Sequence, residues 1–192
     1  RASGSTELAV TADFANEPGT LKGSQTVSGT VARAGNPPVI NPSGATSAAT
    51  ANVDQPLAPG TLLSVYGSRL SDDARTATAL PLSTTLGATS VSLGGRLLPL
   101  YFTSDGQVNG FAPLDVPRNT ELSLIVRRGA ALSAPEIVTI APSAPAVFVA
   151  SPDGSAVALD LQGRSISAVN PAARGSVVSV YMTGLGAVDQ NV

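Results

Sequence analysis

Proline and glycine interrupt this sequence along almost its whole length, and their spacing limits what the chain can fold into. The 192 residues include 15 Pro and 19 Gly. Few windows run long enough without one of them to form a three-turn helix, because proline removes a backbone donor and glycine costs conformational entropy. We therefore predict an all-β chain with only isolated helical turns.

Runs of alternating or β-branched residues lie between these turn signals, most densely over residues 57–150. Gly94 and Gly95 supply a two-residue hairpin turn. Strands at intervals of about ten residues are typical of a sandwich rather than of a βαβ fold. We predict an immunoglobulin-like antiparallel β-sandwich over 57–150. Its candidate strands are residues 61–66, 89–93, 96–102, 108–111, 121–127 and 136–140.

The apolar positions of these strands predict the core. Truncating a buried phenylalanine to alanine costs about 3–5 kcal/mol, so we expect such a loss at Phe111 and Phe148. The predicted core residues are Leu62, Val65, Val91, Leu93, Phe102, Phe111, Leu124, Val126 and Phe148.

Partial β-structure is expected at both ends of the chain. Residues 1–34 contain two alternating stretches separated by Pro18 and Gly19, which predict a pair of strands. Residues 35–56 have little apolar bulk and indicate either a linker or an extended edge segment. Residues 151–192 begin with the second half of a hairpin and continue into further strand-like sequence.

An internal repeat explains that C-terminal sequence. Residues 58–70, APGTLLSVYGSRL, recur 115 positions later as residues 173–185, ARGSVVSVYMTGL. A spacing of that size is about one sandwich domain. We interpret residues 173–185 as the beginning of a second copy, whose remaining strands are missing from this chain. The alternative is a chance similarity between two generic strands.

At these residues the sequence resembles the Solibacter-type uncharacterised C-terminal domain family, found in large secreted acidobacterial proteins. The matching motifs are LAPGTLLSVYG at 57–67, LPLSTTLG at 80–87, GQVNGFAP at 106–113 and NPAARGSVV at 170–178. The resemblance covers residues 50–189 and implies an immunoglobulin-like, surface-associated module with no established activity. It implies no catalytic residue. The family pattern continues beyond residue 186 through further strands, so the second copy departs from it.

Composition argues against several kinds of function. The chain has no His and no Cys, which removes the commonest general base, thiol nucleophiles and the usual zinc ligands. Its net charge is −2 and its basic residues are scattered, unlike a nucleic-acid-binding surface. We expect no enzymatic activity, no cofactor, no nucleic-acid partner and no membrane insertion.

Two adjacent acidic residues are candidates for a metal site. Asp72 and Asp73 are adjacent in a predicted turn, and loops between sandwich strands can bring carboxylates together around calcium. The competing interpretation is that both are solvated turn residues, because aspartate commonly caps its own backbone in turns.

The incomplete strands at both ends predict assembly. A strand with an unpaired edge and an apolar face is either covered or recruits another chain. We expect an extracellular or cell-surface structural module that forms a head-to-tail homopolymer by strand addition. One alternative is a carbohydrate-binding or adhesive module within a larger secreted protein. Another is that the chain is a fragment of a longer multidomain protein, whose missing strands would supply the same pairing within one polypeptide. The predicted interface residues are Leu8, Val10, Val27 and Val31 near the N-terminus, and Val177, Val178, Val180 and Tyr181 near the C-terminus.

Overall fold

The computed structural model describes residues 5–17, 20–32, 36–50, 52–53, 55–150 and 154–187. The chain divides into two compact units, residues 1–36 and residues 37–192. All secondary structure in the described residues is β, without helix. The prediction of an all-β chain with antiparallel sheets is confirmed.

The N-terminal unit is a hairpin of two long antiparallel strands, β1 (Ser5–Glu17) and β2 (Thr20–Ala32). Its register places Leu8 opposite Gly29 and Val10 opposite Val27. The regular pairing shifts near Ala15, close to the turn. The two alternating stretches predicted from the sequence are therefore the two arms of one hairpin.

The second unit contains the remaining strands. Residues 35–56, for which the sequence left two alternatives open, contain β3. The strands are β3 (Val39–Ser47), β4 (Leu62–Ser68), β5 (Arg75–Thr76), β6 (Thr89–Leu93), β7 (Arg96–Leu97), β8 (Leu100–Thr103), β9 (Gln107–Phe111), β10 (Thr120–Arg128), β11 (Ala131–Leu132), β12 (Glu136–Ile140), β13 (Ala146–Val147), β14 (Val149–Ala150), β15 (Ser155–Ala156), β16 (Ala158–Leu159), β17 (Ser179–Val180) and β18 (Met182–Thr183).

Two five-stranded sheets make up the sandwich. The first sheet has the order β3-β4-β9-β8-β5, with β3 on its edge. The second sheet has the order β11-β10-β6-β7, and β12 also pairs with β10. Gly94 and Gly95 lie at positive φ between β6 and β7, which is the backbone conformation that a two-residue hairpin turn requires. The hairpin predicted at this point is therefore present.

The core lies between the sheets and is built from the inward-facing apolar residues of both. Leu63 and Val65 of β4 point into it from the first sheet. From the second sheet, Leu124 and Val126 of β10 lie opposite Leu93 and Val91 of β6, and all four are fully buried. Burying a side chain of this size contributes about 1.5–3 kcal/mol. The predicted core positions Val65, Val91, Leu93, Leu124 and Val126 are confirmed.

The prediction was wrong at Leu62, Phe102, Phe111 and Phe148, which are only partly buried. Leu62 and Phe111 pair with each other on the outer face of the first sheet, since Leu63 and Gly110 beside them face the core. A register shift between Leu100 and Phe102 reverses the alternation in β8. Leu100 and Thr103 are consequently both buried, and Phe102 is not.

Short strands after residue 141 form a third region of pairing. β14 pairs with β15 as a hairpin, β13 pairs with β18, and β16 pairs with β17. Phe148 lies between these pairings: its N–H donates to the Tyr181 carbonyl at 3.0 Å and its carbonyl accepts from Val157 N–H at 2.7 Å. The position of Phe148 therefore serves this region rather than the core of the sandwich.

Truncating one side chain that faces the core and one on the outer face of a sheet should distinguish the two faces by their effect on stability. We predict that Leu124→Ala lowers the free energy of unfolding by about 2–5 kcal/mol, because Leu124 is fully buried. Phe111→Ala removes a larger side chain, but from a partly buried site on the outer face of the sheet, and should cost less than half as much. Urea unfolding of both variants measures the difference. A larger loss for Phe111→Ala would mean that the assignment of faces to β9 is incorrect.

Candidate functional site

The two copies of the sequence repeat begin with the same backbone turn. In the first copy Thr61 N–H donates to the Ala58 carbonyl at 3.1 Å, and in the second Ser176 N–H donates to the Ala173 carbonyl at 3.0 Å. The glycine before each donor has positive φ, 76° at Gly60 and 82° at Gly175. The repeat is therefore present in the backbone as well as in the sequence.

The correspondence continues to the end of the repeat. Arg69, after β4, has a φ of 57°, and the equivalent Gly184 has a φ of 79°. Gly184 packs closely against Ala144: a side chain at Gly184 would collide with the Ala144 carbonyl. Ala144 N–H donates to the Gly184 carbonyl at 2.8 Å. Thr183 accepts a hydrogen bond from Leu62 N–H at 2.8 Å through its side-chain hydroxyl. The second copy is thus held against the beginning of the first.

The surroundings of the two copies differ. β4 lies between β3 and β9 and pairs with both. The equivalent strand pairs with β16 through Ala158 opposite Val180 and Leu159 opposite Ser179. Tyr181 N–H donates to the Val157 carbonyl on that same side at 3.0 Å. Among the described residues, no strand lies where β9 would be. We call this unpaired side of residues 177–181 the open edge.

Side-chain exposure follows from the missing neighbours. Leu63, Val65 and Leu70 of the first copy are fully buried, with exposures of 0%. The equivalent residues of the second copy, Val178, Val180 and Leu185, are 40%, 45% and 61% exposed. Val177 and Tyr181 are also exposed, and so is Tyr66, the equivalent of Tyr181 in the first copy. The four predicted C-terminal interface residues therefore lie together along the open edge.

The four predicted N-terminal interface residues lie in the hairpin of the other unit. Leu8 and Val10 belong to β1, and Val27 and Val31 belong to β2. Their placement is defined at the level of strand register, where Val31 lies opposite Thr6. Alternation alone was enough to place them in strands.

The candidate metal residues are paired with arginines. Asp73 Oδ2 lies 3.0 Å from Arg75 Nη2, and Asp72 Oδ1 lies 3.5 Å from Arg128 Nε. Within the described part of the chain, no group of three or more His, Cys, Asp or Glu residues is arranged to hold a metal ion. Asp72 and Asp73 thus have nearby cations as counter-charges.

An apolar depression on the outside of the first sheet was missed by the sequence reasoning. Phe111 was predicted to lie in the core, but it lines this depression with Tyr101, which is about half exposed. The signal that could have placed Phe111 here is the period of two in β9, because Val108 and Gly110 face the core and Phe111 therefore faces outward. Its other lining residues are Ala77, Thr78, Ala79, Leu80 and Leu82.

Comparisons with family models, with curated proteins and with solved structures find no match to this chain. The resemblance to the Solibacter-type domain family therefore stays a prediction. The described residues contain no helix that is long and apolar enough to cross a membrane.

A carboxylate-centred loop follows β16. The N–H of Arg164 and the N–H of Gln162 each donate to Asp160 Oδ1 at 2.9 Å, and Arg164 Nε donates to Oδ2 at 2.8 Å. Led by the backbone hydrogen bond from Arg164, these contacts hold the pKa of Asp160 below its ordinary value, against partial desolvation that raises it. The carboxylate organises the turn that precedes the second copy.

We predict acid sensitivity in this loop. Because the pKa of Asp160 is lower in the folded protein, its stabilising contribution is complete above the pKa of an unfolded aspartate. It is lost as pH falls through the folded-state pKa. Carboxyl ¹³C NMR titration should report a midpoint below that of a free aspartate, and Asp160→Asn should remove this contribution to the pH dependence of unfolding. A free-aspartate midpoint would contradict the hydrogen-bonded geometry.

Proposed function

We propose that this protein is a structural module of the cell exterior that assembles with copies of itself by strand addition. The open edge is the observation that carries the proposal. It combines unpaired backbone groups with exposed apolar side chains, at positions equivalent to buried residues of the first copy. An edge with both properties is a template for another strand.

We also propose that the sandwich is of the immunoglobulin type. The order β3-β4-β9-β8 in one sheet, opposite β12-β10-β6 in the other, corresponds to the ABED and CFG arrangement of constant-type domains. A parallel bridge between Leu57 and Ile140 adds the segment before β4 to the second sheet. In this assignment β16 and β17 correspond to the first two strands of a second domain.

Assembly at this edge is heterologous. The surface that accepts a strand and the segment that donates it are different parts of the chain, so each added copy leaves a new open edge. Such a contact generates an open-ended, head-to-tail polymer. It needs no disulfide, in keeping with a sequence that has no cysteine.

A second candidate function is the binding of a polysaccharide or another surface. The depression containing Tyr101 and Phe111 supports it, because exposed aromatic faces present flat apolar area with a polar edge. This function is independent of the open edge, so the two can be tested separately.

Charge placed in the open edge should block assembly. We predict that the wild-type chain self-associates, and that Val180→Asp weakens this by at least about 100-fold, because burying an unpaired carboxylate costs several kcal/mol. Val169→Asp is the matched control, since Val169 is 95% exposed and lies outside the strands. Sedimentation velocity and negative-stain imaging measure the result. A monomeric wild type, or unimpaired assembly of Val180→Asp, would refute the proposal.

The surface-binding alternative makes a different prediction. If the depression binds polysaccharide, Tyr101→Ala should reduce retention on insoluble polysaccharide by about tenfold, the loss expected for one aromatic contact. Tyr66→Ala serves as the control, because Tyr66 is also partly exposed but does not line this depression. Equal retention of both variants would exclude the depression as the binding site.

A further inference from the structure

The first copy shows what occupies the position equivalent to the open edge. β9 pairs antiparallel with β4, with Gly110 opposite Leu63 and Val108 opposite Val65. Hydrogen bonds from Ala112 N–H to the Thr61 carbonyl at 2.9 Å and from Gly67 N–H to the Gly106 carbonyl at 3.0 Å flank this pairing. Because antiparallel hydrogen bonds recur at every second residue, Leu63 and Val65 direct their backbone groups at β9.

The same alternation applies to the second copy. Tyr181 directs its N–H at Val157 and its carbonyl at Phe148, both on the side of β16. Val178 and Val180, at odd spacing from Tyr181, therefore direct their backbone groups at the opposite side, which is the open edge. They are the residues equivalent to Leu63 and Val65. The open edge thus has the hydrogen-bonding pattern that β4 presents to β9.

The strand that fills this position in the first copy has one strict requirement. A Cβ at Gly110 would lie 2.8 Å from the Pro99 carbonyl oxygen and 3.1 Å from Leu100 Cδ2. Position 110 therefore excludes side chains, and Leu100 of β8 lies directly opposite it. Val108, two residues earlier, fills the core from the same face.

The N-terminal hairpin contains the same short sequence pattern and one equivalent cross-strand pair. The segment Thr-Val-Ser-Gly at residues 26–29 of β2 has the pattern of Gln-Val-Asn-Gly at residues 107–110 of β9. Leu8 of β1 lies opposite Gly29, as Leu100 of β8 lies opposite Gly110. Both pairs of strands are hairpins in which the glycine-containing strand comes second. The β1–β2 hairpin thus shares this leucine–glycine pair with the β8–β9 hairpin. Beyond the pair, the next residues of β1 continue in regular register, whereas β8 has a register shift between Leu100 and Phe102.

We infer that β2 of a second copy of this chain is the strand that completes the open edge. Its register places Val27 opposite Val180, Ser28 opposite Ser179 and Gly29 opposite Val178. Neither residues 26–30 nor residues 177–181 contain a charged side chain, so the pairing buries no ionised group. This inference rests on the proposed assembly and specifies its donor strand and its register.

Cysteine cross-linking tests the register, because the chain has no cysteine of its own. Ser28 and Ser179 would form a non-hydrogen-bonded pair, like Asn109 and Ser64, and directly opposite residues in such pairs are close enough for a disulfide. Full-length Ser28→Cys is mixed with full-length Ser179→Cys under mild oxidation. The matched control replaces Ser28→Cys by Ser24→Cys, four residues away and about 13 Å along the same strand.

We expect the Ser28–Ser179 mixture to give at least about tenfold more covalent heterodimer than the Ser24–Ser179 mixture. Equal or negligible cross-linking, while sedimentation still shows self-association, would overturn this donor and register and leave the proposed assembly standing. Absence of self-association in the wild-type chain would overturn both. The double variant Ser28→Cys/Ser179→Cys should give covalent oligomers, and an oxidised monomer at dilute concentration would show that the strand comes from the same chain.

Discussion

Backbone hydrogen bonding of one strand sequence, present twice in the chain, is the constraint on which the structure depends. A buried N–H or carbonyl without a partner costs free energy comparable to a lost hydrogen bond. β4 satisfies its groups on both sides, through β3 and β9, and its inward side chains are buried. The second copy has the same turn and the same strand but is paired on one side. The same requirement for strand partners is therefore met on both sides in the sandwich and on only one side at the open edge.

Much of the fold could be predicted because alternation and turn residues act locally. The bounds of β6 and β12 agree with the predicted strands at 89–93 and 136–140, and the turn at Gly94 and Gly95 is present. The exposed C-terminal residues could be predicted because the repeat is visible in the sequence. For the strands and the turn the deciding information lies within a dozen residues of the chain, whereas the repeat is recognised by comparing segments 115 positions apart.

The errors came from features that local patterns do not contain. The register shift in β8 reverses which residues face the core, and a period of two in the sequence does not reveal it. Phe148 contacts a strand more than thirty positions later, through Tyr181. The apolar depression around Tyr101 depends on which face of the first sheet is left uncovered. Each of these is set by pairing between distant segments.

Charge has a minor part in holding the molecule together. The ion pairs of Asp73 with Arg75 and of Asp115 with Arg96 are exposed, and such pairs typically contribute less than about 1 kcal/mol. Burial of aliphatic side chains between two sheets supplies the stability instead. The same interaction is available at the open edge, where apolar residues remain uncovered. Assembly would then be stabilised by the same burial of apolar side chains that stabilises the first copy.

The most direct test of this account is amide hydrogen exchange at Val178 and Val180, measured in dilute and in concentrated protein. Leu63 and Val65 are internal references, since β9 already pairs with them. The account predicts rapid exchange at Val178 and Val180 in dilute protein and strong protection at high concentration, while Leu63 and Val65 are protected in both. Exchange at Val178 and Val180 that stays rapid at every concentration would contradict the claim that another strand completes this edge.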